Sequence, residues 1–342
     1  MRRSNHWEAQ FAGKRVLITG GAGFIGATLG IRLTDLGAHV VAVDSLISEY
    51  GGNLHNLAGY EDRITLNIAD VRDQFGLNIL VRDQDYLFNL AGQTSHLDSM
   101  IDPFTDLEIN CRSQLKILEA CRQNNPGVRI VFASTRQIYG RPRYLPVDEQ
   151  HPLNPADVNG INKLAGEMYH LLYAQVYHMA TCVLRLTNTY GPRMRVKDAR
   201  QTFLGIWMRK LIEQQPLQIY GEGQQLRDFN YVDDVVEALL LAAVHPNLSG
   251  QAYNLGGGEV LSLEALARLA VEVNGGGAVE KIPFPPERKV IDIGDYYANY
   301  TAFSQLTGWQ PRVKLAAGLR ATLDYYREHG QHYWNDDAPA VS

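Results

Sequence analysis

The sequence of 342 residues predicts an α/β fold, in which a doubly wound parallel sheet is followed by a second, smaller α/β lobe. Three observations predict this fold. A strand-helix-strand unit with a glycine-rich turn opens the chain, apolar runs then alternate with helical stretches, and the pattern changes after Asn188-Thr-Tyr-Gly-Pro192. Parallel strands that are joined by right-handed helical crossovers produce such an alternation.

The first unit begins at Arg15 with a buried strand, continues through a glycine-rich turn and a helix that ends near Leu36, and closes with a strand that ends at Asp44. Later runs follow the same alternation. Strands are predicted at 64–68, 86–90, 129–133 and 181–186, and helices at 105–123 and 156–177.

Beyond residue 188, glycine, proline and aromatic residues interrupt shorter helices and strands, which indicates a separate lobe. The sequence predicts a first domain over residues 13–188, with 229–256 added to it, and a second lobe over 189–228 and 257–330. A chain of this length is long enough to bury two such cores.

Composition excludes several classes of partner. The formal net charge is −5 and no dense run of lysine and arginine occurs, which argues against a nucleic-acid or membrane surface. The three cysteines show neither a disulfide framework nor a Cys-x-x-Cys pair, so we expect a reducing compartment and no metal site. Without an apolar stretch of signal-peptide or membrane-spanning length, a cytoplasmic location is expected.

The strongest motif is Gly20-Gly21-Ala22-Gly23-Phe24-Ile25-Gly26, which lies between the first strand and the first helix. Such glycines allow a tight turn, the approach of a pyrophosphate and close helix packing, and the helix N-terminus attracts phosphate. Asp44, at the end of the second strand, can accept hydrogen bonds from ribose hydroxyls and would repel a 2′-phosphate. NAD is therefore favoured over NADP, although a simple turn capped by Asp44 is the alternative.

These residues resemble the fingerprint of the extended short-chain dehydrogenase/reductases, the Rossmann-fold family of nucleotide-sugar epimerases and dehydratases. The resemblance runs in the family's order from about Gly13 to Trp309. The other segments that carry it are Asp70-Val71-Arg72, Asn89-Leu90-Ala91-Gly92, Ser134-Thr135-Arg-Gln-Ile-Tyr139-Gly140 and Arg185-Leu-Thr-Asn188-Thr-Tyr-Gly-Pro192.

The resemblance implies a site for NAD in the first domain. It also implies a homodimer through the helices predicted at 105–123 and 156–177, although apolar residues there, such as Met168 and Leu172, could equally face the chain's own sheet. The residues implied for the cofactor are Gly20, Gly23, Phe24, Ile25, Gly26, Asp44, Asp70, Val71, Leu90, Ala91, Gly92 and Lys163.

The catalytic segment departs from the family pattern. Members of the family use a Tyr-x-x-x-Lys pair, and the matching stretch here has Asn159 and Lys163. A carboxamide cannot act as a general base near neutral pH. His96 is the leading substitute because imidazole has a suitable pKa, with Tyr139 and Asp157 as weaker candidates.

Thr135 matches the family's catalytic Ser/Thr, which would hold the sugar hydroxyl that is oxidised. The two residues after it are Arg136 and Gln137, where sugar 4,6-dehydratases carry aspartate and glutamate. Neither replacement can transfer protons in the way those acids do, so dehydration by the usual route is disfavoured.

The second lobe holds the residues that the resemblance implies for a nucleotide-sugar substrate. Arg227 matches the arginine that binds the diphosphate, a role suited to a forked and permanently charged donor, and Arg288 would be a second contact. Tyr220 would stack on the base or pack in the core. The predicted substrate residues are Thr135, Asn188, Gln201, Thr202, Tyr220, Arg227 and Arg288.

The sequence thus predicts an NAD-dependent nucleotide-sugar epimerase-like enzyme that acts through a transient keto-sugar. C4 is the expected carbon because Thr135, Lys163 and Arg227 fit the pattern of 4-epimerases. Two alternatives remain, namely another NAD-linked outcome such as net oxidation or C2 epimerisation, and a non-catalytic sensor of NAD or nucleotide sugar, which Asn159 motivates.

Overall fold

A large parallel sheet forms the centre of the molecule in the computed structural model, which describes residues 7–199 and 202–334. The strands in chain order are β1 Arg15–Thr19, β2 His39–Asp44, β3 Ile64–Ile68, β4 Tyr86–Asn89, β5 Arg129–Thr135, β6 Thr181–Leu186, β7 Asn188–Tyr190, β8 Leu217–Tyr220, β9 Leu226–Tyr231, β10 Gln251–Asn254, β11 Val260–Ser262 and β12 Val279–Ile282. Within the described residues, seven of them form one sheet in the order β10-β6-β5-β4-β1-β2-β3. The order reverses between β1 and β4, where doubly wound sheets bind their ligands.

Helices cover both faces of the sheet and build most of the second lobe. They are α1 Phe24–Asp35, α2 Gln74–Leu80, α3 His96–Ile101, α4 Pro103–Leu107, α5 Ser113–Asn124, α6 Val158–Tyr177, α7 Phe203–Ile212, α8 Val232–Val244, α9 Leu263–Asn274, α10 Pro286–Val290, α11 Thr301–Thr307, α12 Leu315–His329 and α13 Gln331–Trp334. The predicted α/β class with a doubly wound parallel sheet is confirmed.

The central strands are continuously apolar because both faces of the sheet are buried. In β1, Val16 and Ile18 pack into one hydrophobic cluster, whereas Leu17 packs into another. Successive side chains of a strand point to opposite faces, so a strand covered on both sides needs apolar residues throughout. This is why the strands could be predicted from short apolar runs alone.

The helix predicted at 105–123 is interrupted. α4 is followed by a π-helical turn over Glu108–Arg112, and only then by α5. The turn contains Asn110, whose side-chain amide donates to the backbone oxygen of Gln93 at 2.8 Å. Periodicity does not show such a bulge, because the contact that accompanies it comes from a distant loop.

The second lobe contains smaller sheets. β11, β9 and β7 pair in that order, and β12 pairs with β8. β10 joins the edge of the large sheet by parallel pairing with β6. The division into 13–188 with 229–256 and 189–228 with 257–330 stays a prediction.

Two further observations concern the described residues only. None of their helices is both long enough and apolar enough to cross a membrane. Among the same residues, no group of three or more histidine, cysteine, aspartate or glutamate side chains is arranged to hold a metal ion. Cys111, Cys121 and Cys182 are free thiols.

Candidate active site

A cleft lies over the carboxyl ends of the strands, and residues from distant parts of the chain line it. Nearly all of the predicted site residues meet there. Those that line the cleft are Gly20, Gly23, Phe24, Ile25, Gly26, Asp44, Asp70, Val71, Leu90, Ala91, Gly92, His96, Thr135, Asn159, Lys163, Asn188 and Thr202. The structure therefore joins the predicted cofactor residues and the predicted catalytic residues in one site.

The glycine-rich turn forms one wall of the cleft. Gly20 has φ +70°, and a Cβ there would lie 3.0 Å from the backbone nitrogen of Ala91. A Cβ at Gly26 would lie 2.1 Å from the Gly20 oxygen, whereas a Cβ at Gly23 would meet only that oxygen, at 3.2 Å. The space beside Gly23 thus lies open at the N-terminus of α1, and a diphosphate fits such a position.

Two of the predicted cofactor residues, Asp44 and Asp70, place carboxylates in the wall of the cleft. Asp44 accepts hydrogen bonds from the backbone nitrogens of Ala22 at 3.0 Å and Leu46 at 2.9 Å, and burial raises its pKa. Asp70 is held by Arg72, whose hydrogen bond lowers the pKa of the carboxyl group. The carboxylate of Asp44 has acceptor sites that the nitrogens of Ala22 and Leu46 leave unused, and such sites suit the ribose hydroxyls of NAD.

Lys163 projects from α6 into the floor of the cleft. Its Nζ donates to the backbone oxygen of Ala133 at 2.9 Å, and burial lowers the pKa of the amine to about 8. A Cβ at Gly92 would lie 3.2 Å from Nζ, so the glycine keeps the ammonium group accessible from the cleft.

Asn159 lies four residues before Lys163 on α6 and is only 2% exposed. Its Nδ2 lies 2.8 Å from the backbone oxygen of Gln93 and 3.0 Å from Oδ2 of Asp106. Asp106 is buried and also accepts from Asn110 and Asn162, at 3.0 and 2.8 Å. Asn159 is therefore part of a buried amide and carboxylate network that supports the loop after β4.

His96 and Asp157 form a hydrogen-bonded dyad at the edge of the cleft. Nδ1 of His96 lies 3.0 Å from Oδ2 of Asp157, and the side chain of Asp157 is fully buried, whereas that of His96 is 32% exposed. Asp157 also caps α6 by accepting from the Gly160 nitrogen at 2.7 Å. Burial alone would raise the pKa of Asp157, but the hydrogen bonds from His96, Gly160 and Gln137 bring it below its usual value.

Thr135 ends β5, and its hydroxyl faces the cleft. Its Oγ1 accepts a hydrogen bond from the Gln137 nitrogen at 3.3 Å, which leaves the hydroxyl proton available to a ligand. The hydroxyl of Ser134, in contrast, donates to the buried Glu167 at 2.7 Å. Tyr139, a weaker candidate for the base, is buried, and its hydroxyl donates to Asn254 at 2.7 Å, so it belongs to the core.

The predicted substrate residues of the second lobe are more dispersed. Arg227 lies beside the cleft rather than in its lining, donates to the backbone oxygens of Leu226 and Gly294, and faces Asp292. Burial is the main reason that the pKa of Arg227 falls to about 10.

Tyr220 and Arg288 lie together in the second lobe. The guanidinium of Arg288 lies 5.6 Å from the centre of the Tyr220 ring, and the ring of Phe284 lies at the same distance from that ring. The aromatic and basic character suits a nucleotide, although neither Tyr220 nor Arg288 lines the cleft. Gln201 lies outside the described residues.

Some residues of the site were not predicted from the sequence. Gln93 and Asp106, which hold Asn159, and Tyr296, which packs under Arg136, are brought to the site only by the tertiary fold. Arg136 was noted only as a replacement for an acid, yet its side chain lines the cleft. Its position directly after Thr135 was the signal that could have identified it.

Comparison with known proteins places the chain among sugar-nucleotide enzymes. The model of the NAD dependent epimerase/dehydratase family matches residues 16–256. The UDP-glucose 4-epimerase of Mycolicibacterium smegmatis is 34% identical over 321 residues, which cover 93% of this chain and 100% of that protein.

Solved structures of other epimerases resemble this chain as well. An epimerase from Methanothermobacter thermautotrophicus superposes with a TM-score of 0.89 at 27% identity and covers 95% of both chains. The UDP-glucose 4-epimerase of Thermus thermophilus, solved in complex with NAD, gives a TM-score of 0.81 at 31% identity and covers 92% of this chain and 99% of its own. The similarity thus extends over both the large sheet and the second lobe.

Proposed function

This chain belongs to the NAD dependent epimerase/dehydratase family, and on that premise we propose that it epimerises a nucleotide sugar with NAD as its cofactor. One observation carries the proposal. The glycine-rich turn, Asp44, Thr135 and Lys163 line a single cleft at the switch point of the sheet, so a dinucleotide and a sugar hydroxyl would meet there.

Bound NAD would supply the hydride chemistry, by oxidising one sugar carbon to a ketone and then reducing it from the opposite face. The residues of this chain bind and orient the substrate and move the proton. Thr135 holds the reacting hydroxyl through its free hydroxyl proton, and Lys163 supplies a buried positive charge beside it.

The His96–Asp157 dyad would take the proton that the family's tyrosine otherwise takes. With Asp157 on Nδ1, the imidazole keeps Nε2 as a proton acceptor, which is the arrangement of a general base oriented by a carboxylate. Asn159 has no such capacity, and its amide is engaged in a buried network.

Epimerisation at C4 is the proposed outcome, with C2 epimerisation and net oxidation as the alternatives within the same substrate class. The C4 outcome is supported by Thr135, Lys163 and Arg227, which fit the sequence pattern of 4-epimerases. Arg136 and Gln137 replace the two acids of a dehydratase and cannot perform their proton transfers.

A homodimer is also proposed, supported by exposed apolar residues on α4 and α6. Phe104, Met168, Leu172 and Val176 are all exposed, whereas Leu164 and Leu171 are partly buried. Exposed apolar residues that cluster on neighbouring helices are typical of interfaces. The free cysteines agree with the proposed cytoplasmic location.

The test is incubation of the purified protein with NAD and a panel of UDP-, GDP-, CDP- and dTDP-sugars, with products read by mass spectrometry and NMR and NADH by absorbance. We expect an isomer of unchanged mass without net NADH. Net NADH would indicate oxidation instead. Tight binding of nucleotide sugars without any product would favour a sensor, which is the second candidate that Asn159 supports.

A further inference from the structure

Arg136 is a cation in the wall of the cleft that has no anionic partner among the described residues. It begins the short helical turn Arg136–Tyr139, directly after Thr135, and lines the cleft. Its Nε is buried and makes no hydrogen bond with any described residue. The guanidinium carbon lies over the buried Tyr296 ring, 5.7 Å from the centre of that ring.

The neighbouring carboxylates are already engaged elsewhere. Asp157, Asp228 and Asp292 lie near enough to act on the charge of Arg136, but none forms an ion pair with it. Asp157 belongs to the dyad, and Asp292 faces Arg227 at 3.4 Å. Asp228 accepts from a threonine hydroxyl and two backbone nitrogens. Among the described residues, therefore, no carboxylate forms an ion pair with Arg136.

An unpaired charge that is largely removed from water is costly, and a bound anion of suitable shape removes that cost. The edge of the guanidinium, whose Nε makes no hydrogen bond with a described residue, can make an in-plane, two-point contact with a ligand. A planar carboxylate matches that edge.

We infer that Arg136 binds a carboxylate carried by the sugar, so that the substrate class is a nucleotide-linked sugar acid such as a uronic acid. Its position beside Thr135 and near Asp157 places the charge at the reacting end of the substrate, whereas Tyr220 and Arg288 lie in the second lobe at the nucleotide end. The inference rests on the proposed function, because it needs a nucleotide sugar in the cleft.

The test measures the Kd of the NAD-loaded protein for UDP, UDP-glucose and UDP-glucuronic acid by calorimetry. We expect the wild type to bind UDP-glucuronic acid roughly 10- to 100-fold more tightly than UDP-glucose, the contribution of a charge-assisted contact. In Arg136→Met this ratio should fall to about one while the Kd of UDP is unchanged. Arg136→Lys keeps the positive charge but loses the planar, two-point donor geometry of the guanidinium, so it should give an intermediate ratio.

The matched control is Arg268→Met, because Arg268 is an exposed arginine of the second lobe that pairs with Glu264. It should leave all three constants unchanged. Equal wild-type affinity for the two sugars overturns the inference but leaves the proposed function in place. If Arg136→Met weakens the binding of UDP as much as the binding of UDP-glucuronic acid, the inference is also overturned, and Arg136 is assigned to the diphosphate. If NAD binds and no UDP compound does, the inference is overturned for UDP-linked sugar acids, whereas the panel of UDP-, GDP-, CDP- and dTDP-sugars decides the proposed function.

Discussion

Asn159 illustrates how one substitution can change the chemistry of a site and keep its geometry. It lies one helical turn from Lys163, as a tyrosine would, yet its amide contacts Gln93 and Asp106 in the protein interior. In the proposed reaction, the proton acceptor would then come from elsewhere in the cleft. The side chain of His96 enters the same cleft from α3, and Asp157 orients it from the N-terminus of α6.

Replacement of His96 by alanine is expected to lower kcat by about 10²- to 10⁴-fold, the usual contribution of a positioned general base. Substrate and NAD affinity should change little. Added imidazole should restore part of the activity, since it can occupy the vacated space and accept the proton. Activity is measured by NMR of the epimer product at saturating substrate.

His39→Ala is the matched control. His39 is exposed at the start of β2, so its replacement should leave kcat unchanged. Activity that survives in His96→Ala at the wild-type level would show that another group takes the proton.

Asp157→Asn should lower kcat with little effect on KM, because Asp157 acts through the orientation of His96 and does not contact the substrate. The amide can still cap α6. A parallel loss of thermal stability without a change in kcat would instead assign Asp157 a purely structural role.

At the scale of the element, the turn between β1 and α1 assigns different roles to its glycines. A Cβ at Gly26 would lie 2.1 Å from a backbone oxygen of the turn, so Gly26 is needed by the fold. Gly23 has φ −80°, which any residue adopts, and its Cβ position is open apart from one contact at 3.2 Å. We therefore expect Gly23 to be needed for binding of the ligand rather than for the fold.

Gly23→Ala should keep the fold but weaken NAD binding roughly 10- to 100-fold, because the methyl group occupies the space into which a pyrophosphate would fit. Gly26→Ala should lower the free energy of unfolding by at least about 1–3 kcal/mol. Calorimetry with NAD and chemical denaturation measure the two effects. Unchanged NAD affinity in Gly23→Ala would contradict the proposed approach of the cofactor.

At the scale of the whole molecule, the exposed apolar residues of α4 and α6 predict self-association. Met168→Glu combined with Leu172→Glu should convert a dimer into a monomer, because burying two carboxylates in an apolar contact is costly. Sedimentation velocity at micromolar concentration measures the mass. Leu306→Glu is the control. Leu306 is an exposed leucine of α11, and this variant should remain dimeric. A monomeric wild type would overturn the dimer proposal.

The architecture of the large sheet could be predicted because local rules govern it. Central strands such as β1 are apolar on both faces, and the glycines of the first turn have positions that only a tight turn and close packing require. The interruption of the helix near Asn110 could not be predicted, because its contact with Gln93 joins parts of the chain that are distant in sequence.

By itself, the sequence determined the fold class and predicted the cofactor residues and the replacement of the family's tyrosine by Asn159, since these depend on residue type and spacing along the chain. Only the tertiary structure decided that His96 meets Asp157, that Arg227 turns toward backbone oxygens, and that Arg136 lines the cleft with an Nε that makes no hydrogen bond with a described residue. The physical reason is that hydrogen bonding, burial and ion pairing are properties of neighbours in space, and for these residues the neighbours come from other elements of the fold.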